Sequence, residues 1–352
     1  MTILVTGAAG FIGSNFVLHW LGQSQEVVVS LDLLTYAGNL KNLEPIKDSP
    51  YHHFEQGDIR NRPLLNLILK KYQPRAVFHF AAESHVDRSI HDASHFVDTN
   101  IVGTFSLLEE VRCYFNNLDI EHQKIFRLIH ISTDEVYGSL EPQQPKFIEE
   151  SQYKPNNPYS ASKAASDHLM RAWHYTYNLP IITTHCSNNY GPYQFPEKFI
   201  PLMMLNALSE KLLPLYGDGK HIRDWLYVKD HVSALRYILK KGIVGEIYNI
   251  GGGNEKTNLE VVTNLCDILD ELRPRLSKKS YRSLIAFTKD RPCHDKRYAI
   301  NSHKLEKTLG WKPEESFETG LRKTVTWFLE NPEWIDHILS SAYQNWTNQH
   351  YS

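Results

Sequence analysis

The sequence has few cysteines, no long apolar run and no cluster of charges of one sign. Its 352 residues contain four cysteines (Cys113, Cys186, Cys266 and Cys293), and their spacing is not typical of a metal site. Such a pattern suits a reducing compartment, so we expect a cytoplasmic protein. No apolar stretch approaches the length that spans a bilayer. A first strand from about residue 2 leaves no room for a signal peptide.

The charge balance argues against a nucleic-acid partner. The formal net charge is −2, and no basic run provides an electrostatic surface for phosphates. Hydrophobic residues make up 41% and charged residues 22% of the chain, which is ordinary for a globular enzyme. The length allows one large domain or two smaller ones. We therefore expect a small-molecule enzyme with neither a nucleic-acid nor a membrane partner.

Short apolar segments alternate with helical patterns through the first half of the chain. Such alternation predicts a parallel, doubly wound sheet. The predicted strands are Ile3 to Val5, Val27 to Leu31, Ala76 to Phe80, Phe126 to Ser132 and Ile181 to His185, and the predicted helices include Asn100 to Val111 and Tyr159 to Tyr177. Ligands of such sheets bind beyond the carboxyl ends of the strands. Segments 81–84, 133–135 and 187–190 follow strands, so we expect them to gather at one edge.

A glycine-rich turn follows the first predicted strand. Gly7, Gly10 and Gly13 lie between that strand and an apolar helical stripe, in the order strand, turn, helix. Glycines let the backbone approach a pyrophosphate, and the helix N-terminus offers it free N–H groups. Taken alone, the triplet could equally be an ordinary tight turn. Asp32 ends the second predicted strand, where a carboxylate accepts hydrogen bonds from a ribose and repels a 2′-phosphate. This favours NAD over NADP.

The second half of the chain has a different character. Several prolines interrupt it. The pattern over residues 213–227 predicts a hairpin around Gly217-Asp218-Gly219, and the apolar spacing from Leu259 to Leu272 predicts a helix. We expect a Rossmann-like doubly wound α/β domain over 1–187 and a smaller C-terminal α/β substrate-binding lobe over 188–352. Residues 231–250, which include the apolar segment Ile247 to Ile250, are expected to return to the first domain.

Tyr159 and Lys163 stand four residues apart in a predicted helix. Their side chains then share one face. A nearby ammonium favours the phenolate and lowers the tyrosine pKa. The tyrosine can then act as a base that accepts a proton from an alcohol. Taken alone, the pair could as well belong to a solvated helix face.

The glycine turn, Asp32 and the Tyr-x-x-x-Lys pair together resemble the extended short-chain dehydrogenase/reductase family, over nearly the whole chain. Within it, Thr133-Asp134-Glu135 is similar to the signature of the nucleotide-sugar 4,6-dehydratases. Four further segments resemble the same group, at residues 32–39, 81–87, 187–192 and 223–228. Two acids in this place could also simply cap a helix N-terminus.

The resemblance implies NAD as cofactor and a nucleotide sugar as substrate, with dTDP-glucose expected first. Its implied catalytic residues are Thr133, Asp134, Glu135, Tyr159 and Lys163. The implied cofactor residues are Gly7, Gly10, Phe11, Ile12, Gly13, Asp32, Leu33, Leu34, Thr35, Asp58, Ile59, Phe80, Ala81, Ala82, Ser84, Thr99, Tyr159, Lys163 and Asn189. The implied substrate residues are Ser84, Thr133, Asn188, Lys198, Phe199, Pro214, Tyr216, Arg223, Asn258, Asp290, Arg291 and His294.

In the chemistry that the resemblance implies, Tyr159 takes the C4 hydroxyl proton while NAD takes the C4 hydride. Glu135 then removes the C5 proton, Asp134 protonates the departing C6 hydroxyl, and the hydride returns to C6. Lys163 lowers the tyrosine pKa, and Thr133 binds the C4 oxygen. Lys198 and Arg223 are the expected diphosphate partners, because a diphosphate requires cations.

The sequence departs from the family at one place and leaves alternatives open. Family members carry glycine where this chain has Cys293, which alters the expected loop geometry. No metal site is predicted, since His79 and His85 lack a ligand cluster. The alternatives are a 4-epimerase, a decarboxylase, a dehydratase for another nucleotide, or a non-catalytic NAD-binding regulator. The resemblance also implies a homodimer that pairs helices near 100–112 and 159–176.

Overall fold

A computed structural model describes residues 1–290 and 294–339, and it contains two layers of helices on one large parallel sheet. The strands are β1 (Thr2–Thr6), β2 (Val27–Asp32), β3 (His52–Gln56), β4 (Ala76–His79), β5 (Arg127–Thr133), β6 (Ile181–Cys186), β7 (Asn188–Tyr190), β8 (Leu213–Tyr216), β9 (Ile222–Tyr227), β10 (Ile247–Ile250), β11 (Glu255–Thr257) and β12 (Ile285–Thr288).

The α-helices lie between these strands and follow the last of them. They are α1 (Phe11–Leu21), α2 (Arg62–Tyr72), α3 (Val86–His91), α4 (Ser94–Phe96), α5 (Thr104–Asn116), α6 (Ile120–Ile125), α7 (Pro158–Tyr177), α8 (Phe199–Leu208), α9 (Val228–Lys241), α10 (Asn258–Leu272), α11 (His303–Leu309), α12 (Phe317–Glu330) and α13 (Pro332–Ile338). A π-helical segment, Val97–Gly103, joins α4 to α5. Short 3₁₀ helices cover Leu40–Ile46, Asp134–Tyr137 and Tyr281–Leu284.

The main sheet has the order β10-β6-β5-β4-β1-β2-β3, and every pairing in it is parallel. The predicted Rossmann-like α/β class is confirmed. The strand order reverses between β1 and β4, so the crevice for a ligand opens beyond the carboxyl ends of these two strands. Apolar side chains cover both faces of the sheet, with α1 and α9 packed on one side and α2, α5 and α7 on the other.

Two small sheets lie at the carboxyl edge of the main sheet. One has the order β11-β9-β7, and the other pairs β12 with β8 in parallel. The predicted hairpin over 213–227 is therefore wrong, because β8 and β9 belong to different sheets. Each of these strands pairs with a strand that lies much later in the chain. A third apolar cluster, with Trp225, Leu265 and Phe317 among its members, supports these small sheets.

Within the described residues, no helix is both long and apolar enough to cross a membrane.

Candidate active site

A cleft of about 760 Å³ runs between the carboxyl ends of the main strands and the two small sheets. The turns after β1, β4 and β5 form its floor, and residues of β8, β9 and α8 form the opposite wall. One end of the cleft therefore lies over the glycine turn, and the other lies under the smaller lobe. The tyrosine and lysine of α7 line it as well.

The glycine turn is built for close backbone approach. Gly7 has φ +69°, and a Cβ at this position would lie 2.6 Å from the backbone nitrogen of Ala81. A Cβ on Gly13 would lie 2.1 Å from the carbonyl oxygen of Gly7. Larger residues at either position would push the first turn of α1 away from the sheet. The N-terminus of α1 thus stays at the cleft, where its free N–H groups can meet a phosphate.

Asp32 fixes this turn from the end of β2. Its Oδ2 accepts a hydrogen bond from Ala9 N at 2.9 Å, and its Oδ1 accepts one from Leu34 N at 2.8 Å. Burial raises the pKa of Asp32, while these backbone donors act in the opposite direction. The side chain also lines the cleft, so the carboxylate is placed to meet a ribose there.

Nearly all the predicted cofactor residues line the cleft. They are Gly7, Gly10, Phe11, Ile12, Gly13, Asp32, Leu33, Thr35, Asp58, Ile59, Phe80, Ala81, Ala82, Ser84, Thr99, Tyr159, Lys163 and Asn189. The exception is Leu34, which does not line it and has φ +60° beside Asp32. The structure thus gathers residues from the carboxyl ends of β1, β2, β3 and β4, from α1, α7 and the π-helical segment, and from β7.

Tyr159 and Lys163 lie in the first two turns of α7. Asn157 caps this helix in a capping box with Ser160, which fixes where the helix begins. Lys163 Nζ donates a hydrogen bond to the carbonyl oxygen of Ile131 at 2.9 Å, under the cleft floor. Both side chains are buried yet line the cleft.

The predicted lowering of the Tyr159 pKa by Lys163 is wrong for this structure. Burial, followed by the charge of Glu135, raises the pKa of Tyr159 well above its usual value. Burial also lowers the pKa of Lys163, whose ammonium donates to a backbone carbonyl. Desolvation of the phenolate is the largest cause of this shift, and it acts against the use of the tyrosine as a base.

The two adjacent acids occupy different environments. Glu135 lines the cleft, whereas Asp134 lies beneath the surface with 1% of its area exposed. Thr133 caps the 3₁₀ helix that carries them, and its hydroxyl accepts from Glu135 N at 3.3 Å. The two acids thus lie in the first turn of a capped helix, as the capping interpretation of this motif predicted.

Asp134 favours its protonated form. Burial, then the charges of Glu135 and Asp224, raise its pKa well above the usual value. Its Oδ2 has no hydrogen-bond partner among the described residues, and Thr133 Oγ1 reaches its Oδ1 only at 3.5 Å. A carboxyl that is buried without donors is suited to give a proton rather than to hold a charge.

The predicted substrate residues divide into three groups. Ser84, Thr133, Asn188, Lys198, Phe199, Pro214, Tyr216, Arg223, Asn258 and His294 line the cleft. Asp290 does not line it but contacts His294 beside it. Arg291 lies outside the described residues, as do Pro292 and the family departure at Cys293. Lys198 Nζ donates to Ser84 O at 2.7 Å, which ties the two walls of the cleft together.

Glu197 is a cleft residue that the sequence did not reveal. Its buried carboxylate accepts a hydrogen bond from Tyr36 OH at 3.0 Å, and Arg88 Nε lies 3.7 Å away. Burial raises the pKa of Glu197 to about 7. The only signal in the sequence was its place next to Lys198.

Tyr298 is a second residue of this kind. It lines the cleft and donates a hydrogen bond to Asp295, and the guanidinium of Arg223 lies over its ring at 4.4 Å. Burial, followed by the charge of Glu135, raises its pKa. No spacing or motif in the sequence pointed to this tyrosine.

Behind the cleft floor, α7 carries a third acid, Asp167. This carboxylate is 5% exposed and accepts hydrogen bonds at 3.0 Å from each of His130, His185 and Ser132. Burial alone would raise its pKa, but the bonds from His130 and His185 hold it well below the usual value. Asp167 therefore remains charged at neutral pH.

A family model described as GDP-mannose 4,6 dehydratase matches residues 4–324. The chain is 55% identical over 359 aligned residues to dTDP-glucose 4,6-dehydratase 1 of Escherichia coli (strain K12), covering 100% of this chain and 99% of the relative.

Solved structures agree with these relatives. A dTDP-glucose 4,6-dehydratase from Streptomyces venezuelae, with NAD and TYD bound, superposes with TM-score 0.87 at 44% identity and covers 96% of this chain and 100% of its own. A dTDP-glucose 4,6-dehydratase from Bacillus anthracis, in complex with NAD, gives TM-score 0.85 at 46% identity and covers 96% and 99%. With these identities over its full length, the chain belongs to the dTDP-glucose 4,6-dehydratase family.

Proposed function

We propose that this chain catalyses the NAD-dependent removal of water from dTDP-glucose, giving dTDP-4-keto-6-deoxyglucose. One observation carries the proposal: Glu135 lines the cleft together with Tyr159 and Lys163, and its neighbour Asp134 is buried beneath the surface, where burial raises its pKa. The residues proposed for the oxidation, Tyr159 and Lys163, thus lie in the same site as those proposed for the elimination, Asp134 and Glu135. The names of the relatives support the same substrate.

The residues present fit NAD. The Cβ atoms that Gly7 and Gly13 lack would fill the space where the turn meets the sheet, and Asp32 lies at the ribose end of the cleft. The Asp32 carboxylate would repel a 2′-phosphate, which favours NAD over NADP. When bound, NAD would supply the acceptor for the hydride that leaves C4 of the sugar and the source of the hydride that C6 receives.

The chain supplies the proton transfers of the oxidation. Tyr159 accepts the C4 hydroxyl proton, and Thr133 hydrogen-bonds the C4 oxygen. Lys163 holds the nicotinamide ribose. Since burial raises the pKa of Tyr159 in the chain, its role as a base depends on positive charge brought near it on binding.

In the elimination, one of the two acids accepts a proton and the other donates one. A ketone at C4 makes the C5 hydrogen acidic, because the carbanion becomes an enolate. Glu135 takes that proton, while Asp134 gives its proton to the C6 hydroxyl, whose C–O bond breaks to release water. Hydride then adds to C6 and a proton to C5, so the product equals the substrate minus one water.

Lys198 and Arg223 are proposed as the cations that meet the diphosphate. Both line the cleft at the smaller lobe, and a diphosphate requires such partners. We also propose the division of the chain into an NAD-binding domain, 1–187 with 231–250, and a lobe formed mainly by 188–352.

A product assay tests the proposal. The purified protein is incubated with dTDP-glucose without added reductant, and the mass of the product is measured by mass spectrometry. Loss of one water, with no net reduction of the cofactor, is expected. A product of unchanged mass would indicate an epimerase and overturn the roles of Asp134 and Glu135. Water loss only with a UDP-, CDP- or GDP-sugar would correct the nucleotide, and no turnover with any sugar would indicate a non-catalytic NAD-binding protein.

The role of Glu135 has its own test. Glu135→Gln should abolish the exchange of solvent deuterium into C5, because the amide cannot accept the C5 proton. Glu141→Gln is the matched control, since this exposed glutamate pairs with Lys296 away from the cleft. Deuterium entering C5 at the normal rate in Glu135→Gln would disprove the assignment.

We further propose a homodimer in a reducing compartment, the cytoplasm. Apolar side chains remain exposed near the face of α5 and α7, among them Val102, Phe105 and Tyr177. Such a face suits a second copy of the chain. Cys113, Cys186 and Cys266 are free thiols, which suits reducing conditions. Light scattering that shows a stable monomer would overturn the dimer.

A further inference from the structure

A path of buried hydrogen bonds joins α13, the last described helix, to the glycine turn. The indole N–H of Trp334 donates to Asn42 Oδ1 at 2.8 Å, although 292 positions separate the two residues. Asn42 Nδ2 in turn donates to the carbonyl oxygen of Ala9 at 2.9 Å. Ala9 N donates to Asp32 Oδ2, also at 2.9 Å. This hydrogen-bond path therefore ends on the carboxylate that is proposed to meet the ribose.

Every member of the hydrogen-bond path is withdrawn from water. Trp334 is 7%, Asn42 2% and Asp32 9% exposed, and Ala9 is fully buried. The Asn42 amide uses its oxygen for Trp334 and its nitrogen for Ala9, so the loss of either partner would leave a buried polar atom unsatisfied. Neither Trp334 nor Asn42 lines the cleft. Both side chains thus lie outside the site described above and support its cofactor end from behind.

The short 3₁₀ helix Leu40–Ile46 brings Asn42 to the glycine turn. Asn39 caps this helix with its side chain, and its own N–H donates to Ala9 O at 3.0 Å. The Ala9 carbonyl thus accepts two hydrogen bonds, from Asn39 N and Asn42 Nδ2. The same peptide leads into Gly10, the N-cap of α1. Both bonds therefore fix the start of the helix whose free N–H groups are placed to meet a phosphate.

Aromatic rings hold Trp334 in the position from which it reaches Asn42. Its ring centroid lies 5.1 Å from that of Trp327, 5.7 Å from that of Phe328 and 6.0 Å from that of Tyr193. A hydrogen bond is not general for buried indoles in this fold. Among the described residues no acceptor is present for the indole nitrogens of Trp20, Trp225 and Trp311.

Two further hydrogen bonds join the same part of the sequence to the segment after β7. Asn15 Nδ2, on α1, donates to Pro192 O at 2.9 Å, and Tyr36 OH donates to Glu197 Oε1 at 3.0 Å. These pairs lie 177 and 161 positions apart. The glycine turn and the residues after β2 are therefore held by distant parts of the sequence, of which α13 is the most distant.

We propose that Trp334 is a positioning residue for NAD binding, which acts through Asn42. Together the two side chains hold Ala9 in the geometry in which the glycine turn accepts the cofactor. The inference rests on the proposed function, which supplies NAD as the cofactor. Without the hydrogen-bond path, NAD binding must also order the turn, and that cost lowers the affinity. Because the proposed cycle returns the hydride to the sugar, NAD need not leave between turnovers, so a firmly held turn does not slow the reaction.

Removal of the indole N–H tests the inference. Trp334→Phe keeps a buried aromatic ring but cannot donate to Asn42. Trp311→Phe is the matched control, because the buried indole nitrogen of Trp311 has no acceptor in the described part of the chain. NAD is titrated by calorimetry into the full-length protein after bound nucleotide has been removed. Trp334→Phe should weaken NAD binding about 5- to 10-fold, as expected for one buried hydrogen bond, while Trp311→Phe should bind NAD as the wild type does.

A second variant separates positioning from general support of the fold. Asn42→Ala should also weaken NAD binding, and the double variant with Trp334→Phe should bind no more weakly than Asn42→Ala alone, because Trp334 acts through Asn42. Urea unfolding without NAD shows that each variant folds. Wild-type NAD affinity in folded Trp334→Phe, or losses that multiply in the double variant, would overturn the inference and leave the proposed function intact. A wild type that binds no NAD would overturn both.

Discussion

Two aspartates are buried, Asp134 beneath the cleft surface and Asp167 between α7 and the main sheet, and their pKa values shift in opposite directions. Asp167 is charged, because His130, His185 and Ser132 all donate to it. Asp134 is equally buried, yet its Oδ2 has no partner in the described part of the chain, and its pKa is raised. Burial is common to both, so the supply of donors decides the protonation state. Burial with few donors favours the neutral carboxyl, which is the form that the proposed role of Asp134 as an acid requires.

The largest effect expected from this contrast is on turnover. Asp134→Asn should lower the rate of product formation by about 10²–10⁴-fold, because an amide cannot give the C6 hydroxyl a proton. Stability should change little, since Asp134 is neutral and asparagine has the same shape. The rate is measured by product mass and the stability by urea unfolding. Turnover at the wild-type rate would contradict the role of Asp134 as an acid.

Glu197 offers an intermediate case, with one donor from Tyr36 and a pKa of about 7. The folded chain holds this proton more tightly than the unfolded chain, where glutamate titrates at about 4.5. Stability is therefore complete below that pH and falls as the pH rises through about 7. Glu197→Gln lacks this titration, so its stability relative to the wild type should increase by about 3 kcal/mol between pH 4 and pH 8.

Urea unfolding of Glu197→Gln at several pH values checks this sign. An exposed glutamate, Glu121, which pairs with Lys124 on the surface, gives the control Glu121→Gln. If the difference in unfolding free energy between Glu197→Gln and the wild type does not vary with pH, the pKa of Glu197 is not raised in the folded chain.

Asp167→Asn should act on stability rather than on catalysis. We expect a loss of about 2 kcal/mol at pH 7, because hydrogen bonds to a charged group are lost and the amide nitrogen meets a donor. The pKa of Asp167 is depressed, so its contribution is present above the unfolded value near 3.8 and is lost as the pH falls below it. Urea unfolding of the variant and the wild type at pH 7 measures the loss of stability, and the same measurement at pH 3 shows how that loss depends on pH. If Asp167→Asn is as stable as the wild type at pH 7, the charged and hydrogen-bonded state of Asp167, which distinguishes it from Asp134, would be disproved.

The smallest effect is expected from Asp224→Asn. The buried Asp224 carboxylate helps to raise the pKa of Asp134. Its replacement should lower that pKa, so Asp134 should lose its proton at a lower pH and the alkaline limb of the pH–rate profile should shift downward. The shift is read from kcat against pH. An unmoved limb would mean that burial alone protonates Asp134.

The sequence predicted the main sheet well because buried parallel strands are continuous apolar segments. β1, β2, β4, β5 and β6 all lie where such segments predicted them. β3 was missed because His52–Gln56 is polar and half-buried at the sheet edge. The hairpin was wrong because the partners of β8 and β9 lie far along the chain. Local turn signals carry no information about such pairings.

The same division applies to the site. Motif residues such as Gly7, Asp32 and Tyr159 could be placed from the sequence because each follows a strand or opens a helix. Glu197 and Tyr298 could not, since they reach the cleft only through the packing of the small sheets. His221 likewise reaches Asp290 and His294 from a separate segment of the chain, which follows β8. The parallel main sheet is predictable here, whereas the pairing of β8 with β12 and the approach of Glu197 and Tyr298 to the cleft are not.

The position of β10 at the edge of the main sheet has a consequence for synthesis on the ribosome. β6 lacks its outer neighbour until Ile247–Ile250 has been made, and by then β7, β8 and β9 have already been translated. A nascent chain that stops before residue 247 exposes the backbone of β6 as an open strand edge, which is prone to pair with other chains. The last strand of the Rossmann sheet is therefore made only after the first strands of the smaller lobe have been translated.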